Sequence, residues 1–179
     1  MNAYTWTNEL RSLYDNATEL YRSGNREVSA FFSEEEASKL AEIGLKPIHV
    51  FDYVEDYVKS GDPGWDTFLL VAAVRRDYFL HEQKRIPTMA EMSADQLPAK
   101  TDAIDGIEWL PRIIQKAQCF LGGGLCHDIM YGCGGDRRFL QSHAINSADL
   151  LRVVWAAKGD EAKVLDYLRV TSPLLKAGS

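Results

Sequence analysis

The chain has 179 residues, 46% of them hydrophobic, 26% charged and 11% aromatic, with a formal net charge of −6. That length suffices for one ordinary domain or two small ones, and the acidic balance argues against broad nucleic-acid binding, which needs a basic face. No apolar run reaches the roughly 18 residues of a membrane span, the N-terminus lacks a signal-peptide pattern, and an odd count of three cysteines suits free thiols; a cytoplasmic protein is expected.

Leu10, Leu13, Tyr14, Ala17, Leu20 and Tyr21 recur at three- and four-residue steps, the period of one helix face, and Gly24-Asn25 stops it. Ser33-Glu34-Glu35-Glu36 reads as a capping box opening a second helix with Ala37, Leu40 and Ile43, which Gly44 closes. Pro47 suits the first turn of a third helix that ends at Ser60-Gly61. Asp62-Pro63 is expected to open a fourth, with Asp62 as its cap, apolar on more than one face and running to Arg85.

Residues 86–106 contain two prolines and no sustained period, so they read as a linker between halves 1–85 and 107–179. Beyond them, Leu110, Ile113, Ile114, Ala117, Phe120 and Leu121 trace a helix face, followed by a glycine-rich stretch, LGGGLCHDIMYGCGGDRRFL. Asp136 is expected to cap the next helix, Asn146 or Ser147 to start another, and Asp160 the last. No alternating strand stands out, so the fold class is all-α, a helical bundle of about eight helices.

The halves also align at a constant offset of 100 residues: Leu10, Ala17, Gly24, Leu40 and Val54 match Leu110, Ala117, Gly124, Leu140 and Val154. Amphipathic helices align by period alone, but here the loops keep register too. The expectation is two tandem repeats of about four helices related by a pseudo-two-fold.

Trp109-Leu110-Pro111-Arg112, Lys116-Ala117, Asp136-Arg137-Arg138-Phe139-Leu140 and Lys158-Gly159-Asp160-Glu161 form a recognisable set. On these segments, and on LYRSGNREV and GLKPIHVFDYVEDYV in the first half, the chain resembles a bacterial family of uncharacterised proteins, the domain of unknown function 5069. The resemblance implies kinship and fold. It carries over no activity, substrate or catalytic residue.

Candidate chemistry gathers in the glycine-rich stretch. Cys119, Cys126 and Cys133 stand seven apart, without the close Cys-x-x-Cys pairs that zinc loops use, so no metal is assigned. Cys126 or Cys133 with His127 or His143 has the residue types of an activated thiol. Gly132, Gly134 and Gly135 ahead of a helix, followed by Arg137 and Arg138, suit a polar or anionic group, although Asp136 argues against a purely anionic one. The candidate ligand-binding set is Cys126, His127, Asp128, Tyr131, Cys133, Asp136, Arg137 and Arg138. A secondary set, Arg76, Asp77 and His81, lies on the fourth helix, with Asp77 and His81 on one face.

The functional expectation is a small-molecule-binding protein or enzyme with its pocket at the Cys/His loop. The competing expectation is a non-enzymatic helical interaction module. A polar small molecule and a second copy of the chain are the candidate partners, and no cofactor is specified.

Overall fold

The computed structural model describes residues 1–88, 91–124 and 128–176. These residues are all-α apart from one two-stranded ribbon, and the chain divides into two compact units, Met1–Pro87 and Thr88–Ser179. No helix among them is long and apolar enough to cross a membrane.

The first unit holds α1 (Trp6–Arg22), α2 (Glu34–Glu42), α3 (Pro47–Ser60) and α4 (Trp65–His81). Leu10, Leu13, Tyr14, Ala17 and Tyr21 form the buried stripe of α1, and α1 packs on α3, which adds Val50, Phe51 and Val54 to the unit's core. The capping box is present: Glu36 N–H donates to Ser33 Oγ (3.3 Å), and Ser33 N–H to Glu36 Oε2 (2.9 Å). Gly44, at φ +74°, turns the chain into α3 where a Cβ would lie 2.6 Å from Phe79. Only glycine fits that turn.

The fourth helix departs from the sequence reading at both ends. Gly64, in extended backbone and without a side-chain bond, is its N-cap; Asp62 lies too far upstream to cap it. It stops at His81 rather than Arg85, because Lys84 and Arg85 both adopt left-handed backbone (φ +51° and +65°).

Most of the stretch read as a linker belongs to the second unit. It carries a short 3₁₀ turn (Ala94–Gln96) and an antiparallel ribbon of β1 (Ala103–Ile104) with β2 (Ile107–Glu108). Strands of two residues are too short to show alternation. Their turn is Asp105-Gly106, both at positive φ, which is the residue pair such tight hairpins favour.

There follow α5 (Leu110–Gly122), α6 (Gly134–Ser142), α7 (Ser147–Ala157), α8 (Glu161–Thr171) and a short α9 (Pro173–Lys176). Asn146 and Asp160 cap α7 and α8, each accepting an N–H bond. As α1 packs on α3, α5 packs on α7. Local geometry tracks the 100-residue offset: α2 and α6 span equivalent positions, and Leu45 N–H to Leu40 O (3.0 Å) has its like in Ile145 N–H to Leu140 O (2.9 Å). Ala144, at φ +55°, stands where the first unit has Gly44.

Candidate functional site

The N-terminal end of α6 is built from three segments of the second unit. Its N-cap is Cys133, whose side chain makes no capping bond, so the first turn of α6 is left without a side-chain acceptor. Asp136 is not the cap that local sequence rules suggest. It occupies the third helical position and is fully buried, with its carboxylate turned inward.

Three donors meet that carboxylate. Lys116 Nζ reaches Oδ2 at 2.5 Å, Gly132 N–H reaches Oδ2 at 2.9 Å, and Trp109 Nε1 reaches Oδ1 at 3.0 Å. Lys116 is itself only 3% exposed, and its ammonium also donates to Cys133 Sγ at 3.3 Å. Asp136 therefore fixes a lysine that stands directly behind a half-buried thiol. With both charges desolvated, each depends on the other.

The backbone is shaped to allow this. Trp109 adopts φ +71° at the start of α5, a conformation that a bulky aromatic seldom takes, and it lays its indole across the first turn of α6. A Cβ on Gly135 would fall 2.5 Å from that ring. Gly132, at φ +84°, points its N–H at Asp136. Two of the glycines that suggested an anion cradle thus have structural reasons, and the weight of the site shifts to Lys116, Cys133 and Asp136.

The other candidates scatter. Arg137 is partly buried and donates to Gly132 O (2.8 Å), while Arg138 and Asp128 are exposed. Tyr131 is a core residue: it stacks on Phe120 at 5.5 Å and donates its hydroxyl to Ser147 O (2.7 Å). His143 is buried against Ser172, 2.7 Å from Nδ1 to Oγ, and burial lowers its pKa. Cys119 lies beside Met92 Sδ (3.4 Å) and Gln115, where burial raises its thiol. Cys126 and His127 lie outside the described residues. Among those described, no three His, Cys, Asp or Glu side chains gather as metal ligands would.

On α4, Arg76 pairs with exposed Asp77 (3.5 Å) and covers the Trp6 ring at 5.0 Å, while His81 is exposed at the helix end. Asp77 and His81 share a face without a hydrogen bond between them. This is the geometry of solvated helix-surface charges.

Sequence reasoning overlooked Lys116 and Trp109 as parts of the site. A signal was present: Lys116 falls three residues after Ile113 and four before Phe120, inside the buried stripe of α5, where a lysine requires a partner. Compared with known proteins, the chain has no significant match among family models, curated proteins or solved structures.

Proposed function

We propose that this chain binds a small polar molecule, in part anionic, at the N-terminal end of α6 beside the Cys133 thiol. One observation carries the reading: buried Lys116 is held by Asp136 against Cys133 Sγ, at a helix start that no side chain caps. A buried ion pair is a poor device for closing a corner, because desolvation of both charges offsets much of their attraction. The chain closes the corresponding turn before α2 with Ser33 and Glu36 at the surface. A charge pair kept in this place is read as serving the thiol it touches.

The sign of the ligand follows from what still faces outward. Asp136 is turned in and neutralised by Lys116, so its charge does not oppose an anion at the helix end. The exposed Arg138 and the partial positive charge of the helix remain. Binding and enzymatic roles share this site, since a thiol beside an ammonium has the makings of a nucleophile.

Native mass spectrometry of the chain purified without denaturation tests the reading. A small-molecule adduct is expected on the wild type, lost in Arg138→Ala and weakened in Cys133→Ser. A clean unliganded mass would contradict it. The second reading, an interaction module, draws support from Val170 and Leu174, which are 69% and 58% exposed near the end of the second unit. A co-purified protein on an otherwise unliganded chain would favour that reading instead.

A further inference from the structure

Arg75, on α4 in the first unit, is only 2% exposed. Its Nη1 donates to the side-chain oxygen of Gln83 at 2.6 Å, and its Nε has no partner. Among the described residues no carboxylate pairs with it. Burial draws the guanidinium down to about 10, so it keeps its charge at neutral pH. Arginines this deep are ordinarily paired, because a lone interior charge is strongly unfavourable.

The surroundings add positive potential. His49, 4% exposed in the first turn of α3, is near enough for Arg75 and Lys46 to act on it. Burial first, and then those two charges, hold it at about 3, so it is a neutral imidazole. The same turn begins a 14-residue helix, whose N-terminal end carries partial positive charge. The Phe79 ring lies 5.4 Å from the guanidinium carbon and walls off one side. Gln83, half-buried in the turn after α4, presents one neutral oxygen to a fork shaped for the two oxygens of an anion.

We propose that Arg75, His49 and the first turn of α3 form a binding site for the carboxylate or phosphate group of a small molecule, which displaces the Gln83 carboxamide from the guanidinium. The site is separate from the one at α6 and stands without it.

Thermal unfolding of the full chain in inorganic phosphate and in acetate, each against chloride at equal ionic strength, tests this. Gln83→Glu is the informative variant, because it supplies the missing carboxylate from within and leaves Arg75 in place. The wild type is expected to gain roughly 3–6 °C in Tm at ten times the dissociation constant of at least one anion, saturably. Gln83→Glu is expected to exceed the wild type in chloride and to lose that response. No anion-specific rise in the wild type would overturn the proposal, and so would a destabilised Gln83→Glu. An unchanged response in Gln83→Glu would also overturn it; if Arg138→Ala then abolished that response, the anion would belong to α6.

Discussion

The turn into the second helix of each unit is closed twice in this chain, by different chemistry. Before α2 it is closed at the surface, where Ser33 and Glu36 exchange hydrogen bonds. Before α6 it is closed from inside, where Asp136 binds Lys116, Trp109 and Gly132. Both helices carry an acid at the third position, and two features send those acids in opposite directions. Glu36 is long enough to reach back to a hydroxyl cap, whereas Asp136 is one methylene shorter and its cap is a thiol, a weak acceptor. One helix earlier, position 16 is Asn and position 116 is Lys. Around Asn16, Ser33 and Glu36 the first unit leaves an open surface groove of about 530 Å³; their counterparts Lys116, Cys133 and Asp136 are instead drawn into mutual contact. The position in the fold asks only for a closure. The buried charge is an addition.

The largest break in this comparison is expected from removing the acids. Asp136→Ala leaves Lys116 buried without a counter-charge and should destabilise the second unit by about 3–5 kcal/mol, whereas Glu36→Ala should lose about 1 kcal/mol or less from the first. Hydrogen exchange resolved by unit separates the two, and equal losses would erase the distinction. Next in size, Gly135→Ala forces a methyl into the Trp109 ring and should lose roughly 1–3 kcal/mol. Glu35→Ala, its counterpart on exposed α2, should stay within about 0.5 kcal/mol by the same measurement.

Acid should distinguish the units further. His49 is held neutral, with a pKa near 3 against an ordinary value of 6.5. Between those values the unfolded chain binds the extra proton. Its contribution is therefore complete above about pH 6.5 and falls away toward pH 3, by roughly 1.4 kcal/mol per pH unit at most. The corresponding position in the second unit is exposed Asp149, although buried His143 adds a loss of the same sign there. Exchange in α3 followed from about pH 7 to pH 4 should flatten in His49→Gln. A loss as small as that of Glu36→Ala is expected from Ser33→Ala, about 1 kcal/mol confined to α2, measurable as fraying of its first turn.

Much of the fold was legible because its signals are local. The Ser33–Glu36 box, the closing glycines Gly44 and Gly61, and the caps Asn146 and Asp160 each depend on neighbours within a few residues. What was misread depends on distant residues or on competition between local rules. Asp62 resembles a cap, but the chain enters α4 through Gly64. Asp105-Gly106 carries a hairpin signal that its two-residue strands are too short to announce. Asp136 resembles a cap as well, and what turns it inward is Lys116, twenty residues earlier. Of the residues singled out in the glycine-rich stretch, Cys133 touches the Lys116 ammonium, Asp136 holds that lysine from behind, and Tyr131 belongs to the core.

Lys116 and Asp136 close the corner before α6 as one unit. A double-mutant cycle with Lys116→Met and Asp136→Asn, read by chemical denaturation with exchange protection in α5 and α6, tests it most directly. Each single variant should lose stability, and the double should be little worse than either, giving a coupling of about 1.5 kcal/mol or more. Losses that add to within about 0.5 kcal/mol would contradict it, and would leave the corner before α6 held by packing alone.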